Sequence, residues 1–232
     1  MVWSWIPQNI GQILQLTLEN AYLGVASALI GLGISVPLGI ACVRWKLLYP
    51  PSLSITSAIY AIPSLALFVV LIPYTGLSDA TVIIPLTLFS LCVLVPNVVD
   101  GLRSVPEPVR QAATAMGFGP LRRLARVELP VAIPVIIAGL RVATVSSISL
   151  ASLGQLIGVS SLGYFFIDGL QRDFATEIFV GIAMVIVLAL VADVALIVVR
   201  RLLTPWQRRH LPPAPPSVLT PASASREMAE VS

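Results

Sequence analysis

Residues 103–130 read RSVPEPVRQAATAMGFGPLRRLARVELP. This is the one long polar stretch lying between two apolar ones, and it reads as two short helices joined by a tight turn. Ser104 and Glu107 have the S-x-x-E spacing of a capping box, in which each side chain satisfies a free backbone N–H at a helix start. Pro106 and Pro108 suit a first turn, where a missing N–H costs little. The run from Gln111 to Met116 favours helix, and Gly117 can take the left-handed conformation that ends one. Gly119-Pro120 restarts the chain, a second helix is expected over 121–128, and Leu129-Pro130 closes the unit. Ala112 and Ala113 leave a smooth surface that another protein can approach closely. Arginine-rich loops of this kind are the rule on the inner side of a membrane.

What flanks this unit defines the class. Of 232 residues, 57% are hydrophobic and only 11% charged, against about 25% charged in a soluble domain. The chain is expected to be an all-α polytopic membrane protein in contact with lipid. Its basic residues sit between apolar runs, so nucleic acid is not an expected partner. Cys42 and Cys92 lie in apolar segments and read as small buried hydrophobes. The single His210 cannot build a metal site alone.

Apolar runs long enough to span occur at about 16–43, 53–72, 81–99, 131–153 and 178–199, five in all. Trp3 and Trp5 suit a membrane interface. Pro73-Tyr74-Thr75-Gly76 is a short turn between the second and third spans. Residues 154–177 are too polar to span and suit a short outer helix. One set of connections holds Arg44, Lys46, the arginines of 103–130, Arg200, Arg201, Arg208 and Arg209, whereas the other holds only Arg172. The positive-inside rule then puts the N-terminus outside and the C-terminus inside. Three parts follow: an extracytoplasmic segment 1–15, a membrane domain 16–203, and a Pro-, Ala- and Ser-rich cytoplasmic tail 204–232 expected to be disordered.

Two charges lie clearly inside spans, Arg141 and Asp193. An intramembrane charge is costly and finds a partner or water. A structural ion pair between the fourth and fifth spans is the favoured reading, with a place on a solute pathway as the other. The second span carries Tyr60-Ala61-Ile62-Pro63-Ser64, where a simple proline kink is the plain expectation. No G-x-x-x-x-G-K-[ST] loop, carboxylate pair or Cys–His pair appears, so the chain is not expected to be an enzyme or to hold ATP itself.

Gln111-Ala112-Ala113, then Gly117, then Glu128-Leu129-Pro130 resembles the E-A-A…G…L-P loop of ABC-importer permeases. Gln111 stands where that family usually has Glu, keeping the length and hydrogen bonding and losing the charge. The resemblance implies that this loop docks into a cleft on an ATPase subunit, through Glu107, Gln111, Ala112, Ala113, Gly117, Glu128, Leu129 and Pro130. It implies two ATPase subunits that hold ATP and Mg, an extracytoplasmic solute-binding protein, a second permease copy or paralogue, and a bacterial cytoplasmic membrane. The run AIPSLALFVVLIPYTGL and the segment from Val131 to Gly158 are similar to permeases for glycine betaine, choline, carnitine or proline. There a glycine pair often precedes L-G, whereas Ser160-Ser161 stand in this chain. Tyr60, Pro63, Ser64 and Arg141 are then the expected translocation path, and Tyr60, Phe68, Tyr74 and Phe89 the aromatic faces available to a quaternary ammonium group. A permease for methionine or an alkylsulfonate, a stand-alone secondary transporter or channel, and a membrane scaffold are the alternatives.

Overall fold

A computed structural model describes residues 4–205. Trp3, Arg208, Arg209, His210 and the tail beyond residue 205 lie outside the described residues. The rest forms ten α-helices with no strand: α1 (Trp5–Gln8), α2 (Ile10–Arg44), α3 (Tyr49–Tyr60), α4 (Ser64–Thr75), α5 (Asp79–Arg103), α6 (Glu107–Ala115), α7 (Pro120–Arg123), α8 (Leu129–Ala151), α9 (Tyr164–Gln171) and α10 (Ala175–Leu203). Four elements are long and apolar enough to cross a membrane: α2, α5, the continuous helix from Pro120 to Ile157, and α10.

The expected second span at 53–72 is not one helix. It is α3 and α4, which meet at a bend of 90°. Pro63 supplies no N–H, and its ring pushes Ile62 away from helical geometry. The Arg103 guanidinium lies 4.7 Å above the Tyr49 ring, so α3 starts beside the end of α5. At the far side the Thr75 and Thr81 hydroxyls are 2.6 Å apart, beside the start of α5. The broken pair therefore runs from one end of the bundle to the other, and counted as one span it brings the candidate spans to five.

Two further expectations fail for local reasons, and one boundary moves. Ser104 belongs to the end of α5, where its hydroxyl donates to Gly101 O at 2.8 Å. Pro106 stands at the N-cap of α6 with no side-chain cap bond, so the Ser104–Glu107 capping box does not form. Nor does Leu129-Pro130 close the unit. The chain runs from α7 through a π-helical turn (Leu124–Glu128) directly into α8. The wider turn accommodates a proline whose missing N–H would otherwise break the ladder. Finally, α2 begins at Ile10, inside the segment expected to precede the first span.

α5 is the hub. Val82, Leu86, Leu94, Val95, Val98, Val99 and Leu102 are essentially inaccessible, because α2, α3, α4 and α8 pack around this helix. Lipid offers no hydrophobic drive for helices to associate, so close packing of small residues must hold them. Gly139 illustrates this: a Cβ there would lie 2.6 Å from Asn97 Cβ. Asn20, fully buried, ties α2 to α8 by donating to Ile148 O at 3.0 Å and accepting from the Ser152 hydroxyl at 3.3 Å. α10 stays on the outside. Only Thr176, Glu177 and Gly181 of it are buried.

At the end opposite the coupling loop, a 3-10 turn (Ser152–Ile157), left-handed Gly158 (φ +85°) and α9 form a cap. Trp5 seals it, its ring 6.0 Å from both Phe165 and Phe174 in edge contact.

Candidate functional site

The coupling unit is built from local backbone chemistry. α6 ends in a Schellman motif: Phe118 N–H donates to Ala113 O at 3.1 Å and Gly117 N–H to Thr114 O at 3.0 Å. Gly117 has φ +80°, a conformation glycine adopts without the Cβ penalty of other residues. No atom lies within 4 Å of where its Cβ would be, so only the backbone conformation demands glycine there.

Charge then locks the two arms together. Glu128, buried, accepts from Arg123 Nε at 2.8 Å, and Arg110 Nε stands 3.9 Å from the same oxygen. Arg123 also donates to the Thr114 hydroxyl at 3.0 Å, and Arg110 to Leu102 O at 2.6 Å. The end of α5, then α6, α7 and the π turn thus form one tied body. Ala113 is 1% exposed, so the free face is Gln111, Ala112 and Met116, with Ala113 inside. Glu107 is exposed, and Leu129 and Pro130 are half-buried in the first turn of α8. Arg110, Thr114 and Arg123 went unseen in the sequence, because Glu128 lies 18 and 5 residues from the two arginines.

The membrane-depth residues form a second constellation. Arg141 and Asp193 make a two-pronged ion pair, Nε to Oδ1 and Nη2 to Oδ2, both at 2.7 Å. The pair opens onto a cavity of about 730 Å³ between α8 and α10, which Ser146 and Ser149 also line. Ser146 lines a smaller niche on its other side, together with Tyr60, Phe89, Ser90 and Ser147. The Tyr60 and Phe89 rings meet edge to face with centroids 5.8 Å apart. Phe68 is buried in the core and Tyr74 is exposed at the end of α4, away from the 103–130 loop, so neither joins them. Pro63 and Ser64 sit at the break, where the first N–H groups of α4 have no side-chain cap. The niche is only about 20 Å³ and Pro63 and Ser64 do not line it, so what it presents is an aromatic and hydroxyl face of the kind that attracts a cation, not a closed solute pocket. In the sequence, the one sign of this niche is the Ser146-Ser147 pair inside an apolar run.

Residues 31–209 match the family of binding-protein-dependent transport system inner membrane components. The chain is 32% identical to the choline transport system permease protein OpuBB of Bacillus subtilis over 208 residues, 90% of this chain and 96% of that one. It is 29% identical to the glycine betaine/carnitine/choline permease OpuCB of the same organism over 202 residues, 87% of this chain and 93% of the relative. Among solved structures, the inward-facing MetNI methionine ABC transporter superposes with a TM-score of 0.72 at 21% identity, covering 88% of this chain and 100% of that one. At that identity the likeness is one of fold. The match covers most of the chain, and the chain belongs to the binding-protein-dependent transport system inner membrane components, as a multi-pass ABC-importer permease.

Proposed function

We propose that this permease imports a quaternary-ammonium osmoprotectant such as glycine betaine, choline or carnitine. The relatives' solutes support the class, and the observation that carries it in this chain is the Tyr60–Phe89 ring pair beside Ser146 and Ser147. Aromatic faces attract such cations, and the hydroxyls suit a carboxylate or hydroxyl at the other end of the solute. Proline, which lacks the quaternary group, draws less on the rings.

Two ATPase subunits dock on the Gln111–Ala112–Met116 face, a second permease copy or paralogue completes the path, and a solute-binding protein delivers the solute outside. ATP and Mg belong to the ATPase subunits, and this chain carries out no hydrolysis. The N-terminus lies outside and the coupling loop inside. Closure of the ATPase pair brings two coupling units together. Each moves as a rigid body because Glu128 ties its arms, and the spans reopen outward. A stand-alone secondary transporter gives the coupling unit nothing to do, although a broken helix at membrane depth is common in that class.

The test is uptake of labelled choline and glycine betaine in cells lacking other systems. This chain is expressed with an ATPase subunit and a binding protein, and uptake is expected only when all three are present. Uptake by this chain alone overturns the reading.

A further inference from the structure

At the end of the bundle that carries the coupling loop, a cavity of about 440 Å³ opens between the last turn of α2 and the coupling unit. Its walls differ in character. Ile40, Val43 and Leu124, half-buried against the Val98–Leu102 core, make one side apolar, while Arg44, Arg110, Arg123 and Glu128 make the other polar. Three guanidinium groups against one carboxylate leave the cavity strongly basic.

The arginines are not equally engaged. Arg123 is occupied by Glu128 and Thr114. Arg110 gives one terminal nitrogen to Leu102 O and stands 3.9 Å from both Glu107 and Glu128, and its buried Nε makes no hydrogen bond. A buried donor without an acceptor costs free energy that an incoming oxygen would recover. Arg44, exposed at the end of a 35-residue spanning helix, makes no ion pair or hydrogen bond among the described residues. Arg44, without a partner among the described residues, and Arg110, held only at 3.9 Å by its carboxylates, thus line one cavity at the end of a spanning helix, beside an apolar wall.

We propose that this cavity is a site for an anionic phospholipid, its phosphate held by Arg44 and Arg110 and its first acyl carbons against Ile40 and Val43. Basic pockets at the edge of transmembrane helices take lipid phosphates in this way. A free phosphate would satisfy the donors but leave the apolar wall bare. None of Gln111, Ala112 and Met116 lines the cavity, so lipid and ATPase occupy different faces of one unit. The bound lipid bridges α2 and the coupling unit, making the position of that unit sensitive to membrane composition.

The test uses the full chain purified in neutral detergent, and so stands apart from any transport assay. Its thermal midpoint is followed on adding phosphatidylglycerol, phosphatidylcholine of the same acyl length, or inorganic phosphate. Phosphatidylglycerol is expected to raise the midpoint by several degrees more than phosphatidylcholine, with no rise from phosphate. Arg44→Gln is expected to leave the lipid-free midpoint unchanged, since Arg44 has no partner in the chain, and to remove most of the increment. Arg172→Gln, at the opposite end, is expected to keep it. Equal effects of the two lipids overturn the proposal, as does an increment that survives Arg44→Gln. A rise with phosphate alone would mean a free-anion site, and loss of the increment when the ATPase subunit is bound would assign the surface to that subunit. Either result overturns the lipid assignment.

Discussion

Arg141 on α8 grips Asp193 on α10 with two parallel hydrogen bonds of 2.7 Å. Of α10 only Thr176, Glu177 and Gly181, near its start, are buried, so this pair is a polar attachment of the far half of the last helix to the bundle. Removing either partner leaves a charge alone at membrane depth, which is worse than removing both. Arg141→Ala and Asp193→Ala are each expected to lower the thermal midpoint of the purified protein. The double variant is expected to recover about half of the summed loss or more, as coupled neighbours do. Simple addition of the two losses would mean the pair contributes nothing.

Tyr60 and Phe89 test the solute face. A cation–π contact contributes about 0.5–2 kcal/mol. Tyr60→Ala is therefore expected to raise the half-saturating concentration for choline by about two- to thirtyfold. Tyr60→Phe keeps the ring and is expected to stay close to wild type. Proline uptake, if present, should respond less to either change. The comparison is made with purified transporter in vesicles loaded with ATP. Equal responses of choline and proline would remove the ring pair from recognition.

The local features of the coupling unit were legible because they depend on few residues. A glycine after a helix-favouring run points to a left-handed stop, and φ at Gly117 is +80°. Features that depend on distant partners were not. Pro63 fits a kink or a break equally well, and which occurs depends on whether neighbours support α4 at 90° to α3. Phe68, packed among Leu23, Leu86 and Val159, supplies that support. Ser104 was read forward, as a cap for the next helix, when its hydroxyl looks back to Gly101. Leu129-Pro130 read as a stop because a proline usually is one, and the π turn before it removes that need. The clamp on Glu128 joins residues from α6, α7 and the π turn, and no periodicity encodes it.

Orientation is checked by labelling. Leu77 is largely exposed between α4 and α5, and Ser104 is exposed at the start of the coupling loop. In a background lacking Cys42 and Cys92, Leu77→Cys should react with an impermeant thiol reagent added outside intact cells. Ser104→Cys should react only after permeabilisation. The reverse pattern would invert the topology and take the coupling unit away from ATP.

Ala112 and Ala113 separate docking from folding. Ala113 is buried, so Ala113→Leu forces a larger side chain into a closed space, at about 1–3 kcal/mol. It is expected to lower the thermal midpoint. Ala112→Arg changes only the free face, and is expected to leave the midpoint alone while reducing ATPase co-purification. A stable Ala113→Leu protein would mean α6 is not packed as described.

Glu128 and Gly117 hold the same unit by different means, and their variants should differ accordingly. Glu128→Ala leaves Arg110 and Arg123 facing each other without the carboxylate. The cost falls between the ~1 kcal/mol of an exposed pair and the ~3–5 kcal/mol of a buried one. Glu128→Gln keeps a hydrogen-bond acceptor and should lose less. At Gly117 the space is open, so the penalty is conformational alone. Alanine pays about 1–2 kcal/mol in the left-handed region, and a β-branched residue pays more. Gly117→Val is therefore expected to move or extend the end of α6 and turn Gln111 and Ala112 away from the ATPase. Asparagine tolerates the left-handed region, so Gly117→Asn is expected to restore much of what valine loses. No span changes, so membrane abundance should stay normal in all of these variants. ATPase co-purification and uptake should fall together for Gly117→Val and return together for Gly117→Asn. A Gly117→Val protein that binds its ATPase and transports like wild type would show that the turn is not needed for coupling.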